Sequence, residues 1–288
     1  MGLNTFSPVI AGTMGWGRWG KRLDTAQMAQ RIRAAVDLGI TTFDHADIYG
    51  DHSTEAEFGA ALRASGVPRG QVQLISKCGI RLPGPSNAIK HYDHSREHIV
   101  ASVERSLQHL GTDHLDLLLL HRPSPLMDAD EVAATVQDLI WMGKIRAFGV
   151  SNFAPATLQR LHARTPLAVN QIECSLAHCA PLLDGQLDTH QHLGIATQAW
   201  APLGGLLTRQ DEAATRVRTV LNRLAPRYGA APEDLLLAWL ARHPAGIRPV
   251  LGTTEPERLR AALHAMTLRL DTPDWFELLQ ASQGNEVP

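Results

Sequence analysis

Cysteine is scarce in this chain. Three residues in 288, Cys78, Cys174 and Cys179, cannot all pair with one another, which fits a reducing compartment. Cys174 and Cys179 flank His178, but their spacing matches no strong zinc pattern and no second pair exists, so no metal is expected. Charge is sparse at 19%, against 44% hydrophobic residues, which excludes a disordered chain and allows a sizeable core. The net charge is only -2 and no basic run stands out, which excludes a nucleic-acid partner. No apolar run approaches ~20 residues, so no membrane span is expected. The opening Met1-Gly2-Leu3-Asn4-Thr5-Phe6-Ser7-Pro8 lacks the basic segment and apolar core of a signal peptide. The expectation is a cytoplasmic monomer acting on a small molecule.

What the chain does have is alternation. Short apolar runs suited to buried strands occur at residues 9–13, 41–46, 72–77, 115–120, 145–150, 167–172, 195–200 and 248–251. Amphipathic stretches suited to helices lie between them, at residues 25–38, 55–64, 96–110, 129–142, 157–163 and 187–192. Two helical stretches, 215–227 and 233–242, separate the last two strands; 256–265 and a leftover 273–280 close the chain. Asp24 suits an N-cap, and Gly39 and Gly143 sit just past helix ends. Eight strand–helix units without a linker predict an α/β fold, a single (β/α)8 TIM barrel spanning 1–288. A doubly wound sheet is the alternative, though it more often has five to seven strands.

Four polar residues end three of these strands or follow them closely. Asp44 and Tyr49 lie in Phe43-Asp44-His45-Ala46-Asp47-Ile48-Tyr49, Lys77 ends Ile75-Ser76-Lys77, and His121 ends Leu118-Leu119-Leu120-His121. A charge at the end of a buried strand is costly unless paired, so a shared polar site at one end of a parallel sheet is expected. His45 and Asp47 read as local hydrogen-bonding residues.

Gly15-Trp16-Gly17-Arg18-Trp19-Gly20 matches the G-x-G-x-x-G dinucleotide pattern. Three features argue against that reading. Bulky Trp and Arg fill the positions where backbone must approach a pyrophosphate. The helix begins near Asp24 rather than at the third glycine. The next strand's acid lies well beyond the usual ~20 positions. The segment reads instead as a loop at the barrel mouth, with Trp16 and Trp19 expected to line a substrate pocket. The long segment from 79 to 95, carrying Pro83, Gly84 and Pro85, is expected to cover that pocket.

The four residues suit carbonyl reduction. A phenol with a pKa near ~10 is a weak acid. An adjacent ammonium stabilises the phenolate and is expected to lower that pKa, while a carboxylate fixes the ammonium. Tyr49 is then the acid, Lys77 its tuner, Asp44 the anchor and His121 the group orienting the carbonyl oxygen.

The chain resembles the aldo-keto reductases over nearly its whole length, through the three segments just quoted. The resemblance implies a TIM barrel that reduces aldehydes and ketones with a nicotinamide cofactor and no Rossmann domain. It implies that Ser151, Asn152 and Gln171 hold the nicotinamide amide and that Trp200 stacks on its ring. It also implies that the loop with Ala201, Leu203, Gly204 and Leu206 follows the pyrophosphate. Thr13 and Met14 complete that set; Asp44 serves both acid chemistry and cofactor, and Trp16, Tyr49 and His121 face the substrate. Thr253, Thr254 and Arg258 resemble the adenosine 2'-phosphate site and favour NADP(H). Relatives often place a cation near Gly252 or Glu255, where this chain has none; Glu255 would repel the phosphate and leaves NAD(H) open. The alternatives are an NAD-dependent alcohol or sugar dehydrogenase and a nicotinamide-sensing subunit without a catalytic role.

Overall fold

The computed structural model describes residues 6–85 and 87–287. Residues 1–5, the first part of the segment read for a signal peptide, lie outside them. The chain runs β1 (Ile10–Gly12), α1 (Thr25–Asp37), β2 (Thr42–Asp44), α2 (Tyr49–His52), α3 (Thr54–Ser65), β3 (Gln73–Cys78), β4 (Ile80–Arg81), β5 (His91–Tyr92), α4 (Arg96–Leu110), β6 (Leu117–Leu120) and α5 (Ala129–Trp141). It continues through β7 (Phe148–Ser151), α6 (Pro155–His162), β8 (Val169–Glu173), α7 (Gln186–Leu193), β9 (Ala196–Trp200), α8 (Glu212–Tyr228), α9 (Pro232–Ala241), β10 (Arg248–Leu251), α10 (Pro256–Ala265) and α11 (Thr272–Gln283).

Eight parallel strands close into a barrel in the order β1-β2-β3-β6-β7-β8-β9-β10, with β10 pairing back onto β1. This is the TIM barrel the alternation predicts, and it rules out the open doubly wound sheet. Local signals set the helix ends. The Asp24 side chain accepts from the Gln27 amide, completing a capping box, and Gly111 and Gly194 end α4 and α7 in the left-handed conformation. Helix α8 starts earlier than the apolar period suggests, at Glu212, because Asp211 caps it by accepting from the Ala214 amide. Residues 79–95 are not a plain loop: β4 and β5 pair as an antiparallel ribbon over the barrel mouth.

Side chains alternate across each strand, and the barrel sorts them. Ile10, Ile75, Leu117, Leu119, Val169, Ala196 and Val250 fill the interior, with Phe6 below. Phe43, Leu74, Leu118, Leu120 and Val150 point outward to the helices. The interior is crowded at Gly149, where a Cβ would run into the Val169 carbonyl and the Leu119 side chain. Continuing the inward rows one step up places Asp44, Lys77, His121, Ser151, Gln171, Gln198 and Trp200 on the same inner face, at the C-terminal mouth.

Candidate active site at the barrel mouth

The four strand-end residues meet. Lys77, 1% exposed, donates from Nζ to Asp44 Oδ2 at 2.6 Å, to the His45 carbonyl at 2.8 Å and to Tyr49 Oη at 3.2 Å. The Tyr49 and His121 rings lie edge to face with centroids 6.0 Å apart. Burial alone would push the Lys77 ammonium down, but the Asp44 carboxylate and then Tyr49 hold it above its ordinary value. Burial pushes the Tyr49 phenol up, and the Lys77 charge only partly offsets that. The expected lowering of the phenol therefore reverses in sign: desolvation outweighs the ammonium, and the group stays protonated. Burial, then the charges of Lys77, Arg122 and Lys90, hold His121 well below the usual imidazole range, so it is neutral.

The residues expected at the nicotinamide form one connected network with this centre. Gln171 donates from Nε2 to Asp44 Oδ1 at 2.9 Å and to Gln198 Oε1 at 3.0 Å. Ser151 Oγ donates to the Gln171 carbonyl and accepts from Asn152 Nδ2. Trp200 Nε1 donates to Asn152 Oδ1 at 3.0 Å. One step out of register, Asn170 faces away from the barrel and pins this loop, donating to the Phe153 carbonyl at 2.9 Å. Thr13 is buried, donating to the Asp44 carbonyl at 2.9 Å, with its hydroxyl 2.8 Å from His45 Nδ1. Met14 stands at the rim, 53% exposed.

Several placements differ from the sequence reading. Trp16 is 1% exposed and packs against Phe43 and Phe58, so it belongs to the core between barrel and helices and faces no substrate. Trp19 is 42% exposed with its ring 6.1 Å from that of Tyr49 and its indole N–H donating to Asp51, so the mouth position falls to it alone. Ala201, Leu203 and Gly204 follow Trp200 in the expected loop, but the Leu206 side chain is buried among the apolar side chains of α8 and α9 and its carbonyl accepts from Arg218. Asp47 is buried with no close hydrogen bond to either carboxylate oxygen, and its ion partner, Arg105 Nη2, stands 3.8 Å from Oδ2. Burial and the neighbouring Glu55 charge push its carboxyl up to about 7, against weaker downward pulls from Arg105, Ser102 and the Ile48 amide. A cavity of about 920 Å³ lies beside the centre, bounded by Trp19, Asp47, Asp51, Arg105 and the β4–β5 ribbon.

The largest correction concerns the far end of the cleft. A cation does stand at Glu255, delivered from the other end of the chain. Lys21 Nζ lies 2.6 Å from Glu255 Oε1 and donates to Thr254 Oγ1 at 2.7 Å, and Arg31 reaches Glu255 at 3.8 Å. The glycine-rich segment makes this possible. Gly20 presses on the Gly15 carbonyl, where a Cβ could not fit, and the Lys21 amide closes the turn onto that carbonyl at 2.8 Å. The folded-back loop projects Lys21 across the β1–β10 seam. Thr253 and Thr254 precede the N-terminus of α10, where Arg258 is exposed and makes no ion pair among the described residues. Amide and hydroxyl groups near a flat aromatic at one end, and hydroxyls with cations at a helix N-terminus at the other, fit a nicotinamide dinucleotide.

The Aldo/keto reductase family model matches residues 8–282. The oxidoreductase YdhF of Escherichia coli is 43% identical over 277 residues, covering 95% of this chain and 93% of that protein. A 6-dehydroglucose reductase of Agrobacterium fabrum is 41% identical over 281 residues, covering 94% of each. An aldo/keto reductase from Klebsiella pneumoniae, solved in complex with NADP and acetate, superposes with a TM-score of 0.78 at 27% identity, covering 98% of this chain and 93% of that one.

Proposed function

Because the chain belongs to the aldo/keto reductase family of oxidoreductases, we propose that it reduces an aldehyde or ketone to the alcohol, with NADPH as cofactor and Tyr49 as general acid. The observation that carries this reading is the wired series Asp44–Lys77–Tyr49, at 2.6 and 3.2 Å, opposite a neutral His121. A bound nicotinamide supplies the hydride to the carbonyl carbon. The protein supplies the proton and holds the oxygen. Tyr49 keeps its proton in the resting site and gives it up as charge develops on the substrate oxygen. The phenolate left behind is stabilised by the Lys77 ammonium, which Asp44 keeps charged and in place. Neutral His121 hydrogen-bonds the carbonyl oxygen without competing for the proton.

Ser151, Asn152, Gln171 and Trp200 would hold the nicotinamide; Thr253, Thr254 and Arg258 would hold the adenosine end. Lys21 and Arg31 tip the preference towards NADPH. They neutralise Glu255 and add the positive charge that a 2'-phosphate needs. The reverse direction with NAD keeps one supporting observation, since Glu255 could accept from ribose hydroxyls if Lys21 swings away. The Agrobacterium relative is named for reducing 6-dehydroglucose, which makes sugar-derived carbonyls the first class to try. The free thiols of Cys78, Cys174 and Cys179 support work in the reducing cytoplasm, and a monomer suffices because the whole site lies within one chain.

The test is steady-state turnover of a carbonyl panel with NADPH and NADH, alongside Tyr49→Phe. Turnover in the wild type that drops ~10³-fold in the variant, with NADPH still bound, is the expected result. A variant as active as the wild type sinks the general-acid assignment, and a clear NADH preference sinks NADPH.

A further inference from the structure

Arg122 follows His121 directly, and neither the proton chemistry nor the cofactor cradle uses it. It is half-buried at the mouth. Its guanidinium carbon lies 5.6 Å from the centroid of the Trp200 ring, and Nη1 donates to the His121 carbonyl at 3.1 Å. Its charge is also felt at both Tyr49 and His121, the two residues proposed to meet the substrate oxygen.

Among the described residues no carboxylate pairs with it. Asp44, the acid of the site, is already taken on one oxygen by Lys77 and on the other by Gln171. Holding a half-buried guanidinium without an anionic partner is unfavourable, and an aromatic face offsets only part of that. Lys90, which makes no ion pair among the described residues, adds its positive charge at His121. The guanidinium fork presents parallel N–H donors suited to two oxygen acceptors at once. One Arg122 donor is used on the His121 carbonyl, and among the described residues no side chain or carbonyl takes the others.

We propose that Arg122 is a specificity residue that binds oxygen acceptors carried next to the substrate's carbonyl group. The site therefore favours α-oxygenated carbonyl compounds, such as hydroxyaldehydes and keto acids, over plain alkanals. This rests on the carbonyl-reductase reading and adds the substrate class to it. With the fork on the His121 backbone carbonyl and over the Trp200 ring, we place the acceptors it takes on the carbons next to the carbonyl carbon. Vicinal hydroxyls and a carboxylate offer the same paired oxygens.

The test compares kcat/KM of the full chain for propanal, glyceraldehyde and glyoxylate with NADPH, in the wild type, Arg122→Met and Arg122→Lys. NADPH affinity by nicotinamide fluorescence is measured for each. The wild type should favour at least one oxygenated substrate over propanal by ~10-fold or more. Arg122→Met should lose ~10–100-fold on that substrate and under ~3-fold on propanal, with NADPH affinity unchanged. Arg122→Lys should recover part of the glyoxylate rate, where charge matters, and little of the glyceraldehyde rate, where the fork matters. Loss confined to glyceraldehyde identifies hydroxyls as the acceptor, and loss confined to glyoxylate a carboxylate. Equal losses on all three substrates overturn the proposal, since Arg122 would then only position His121 or Trp200. Should Arg122→Met fail to fold, equal losses in Arg122→Lys overturn it in the same way. Wild-type turnover of propanal keeps the reductase reading standing whichever way Arg122 falls; NADPH binding with no turnover of any substrate sinks both.

Discussion

The two ends of the cleft are built on opposite principles. At the barrel mouth, Lys77 and Asp44 form an ion pair with side chains 1% and 3% exposed, tied to Gln171, Gln198 and Tyr49. At the adenosine end, Lys21 and Glu255 form a pair of similar length with side chains 50% and 45% exposed. The first pair cannot lose a member without stranding a charge in a dry interior. The second is in water, and its members can separate at little cost to take a ligand group instead. A reaction centre needs donors already in place as charge develops, whereas a site that must capture and release a phosphate needs groups that can exchange partners.

Substitutions can break that contrast. The largest effect is expected from Tyr49→Phe, with kcat down by ~10³-fold and the fold and NADPH affinity intact, read by single-turnover kinetics and fluorescence titration. Lys77→Met should cost both activity and stability. Leaving Asp44 buried without its cation should lower unfolding free energy by about 3–5 kcal/mol in urea titration. An unchanged urea midpoint would mean that the mouth is wetter than its burial indicates.

A second carboxylate at the same end sharpens the point, because Asp47 is buried with only a distant cation, Arg105 Nη2 at 3.8 Å, and no hydrogen bond to either carboxylate oxygen. Folded, it keeps its proton up to about 7; unfolded, it releases it near ~3.9. The folded state thus holds the extra proton between about pH 4 and 7. Its contribution to stability is full below that window, shrinks as pH rises through it and is absent above it. Asp47→Asn should match the wild type near pH 4 and exceed it at pH 8 by on the order of 2–4 kcal/mol. The difference between the two proteins isolates Asp47 from buried His45 and His190, whose pKa values fall to about 3 and about 4 and whose pH trend is opposite. Parallel stability curves for variant and wild type would refute the proton assignment.

The smallest effect belongs to the wet end. Lys21→Met should weaken NADPH binding by roughly 10-fold, leave NADH nearly unchanged and shift stability by less than about 1 kcal/mol. Salt should shrink the difference between variant and wild type, because exposed charges are screened. A large loss of stability would erase the distinction between the two ends.

The residues that were legible in the sequence are those whose role follows from their immediate neighbours. Lys77 and His121 each close an apolar run, and a period of two puts them on the inner face once the run is a strand. Asp44 follows the same rule, whereas Gln171 was legible only through the family resemblance. Those that were not legible depend on partners distant in the chain. Trp16 looked like a mouth residue because it sits in a glycine-rich loop, yet Phe43 and Phe58 claim it for the core. Arg122 carries no pattern of its own, and only the approach of Trp200 gives it a setting. The net shift of Tyr49 could not be read either, because the sequence names the ammonium beside it but not the depth of its burial.

The sequence by itself determined the eight strand–helix units, the single barrel and the polar strand ends that make its mouth chemical, because periodicity and local capping act over a few residues. Only the tertiary structure decided what meets across the β1–β10 seam. Barrel closure pairs the first strand with the last, and so sets Lys21 against Glu255. It also decided how far each carboxylate would be compensated: Asp44 received Lys77 at 2.6 Å and Gln171, and Asp47, three residues on, received only the more distant Arg105 at 3.8 Å.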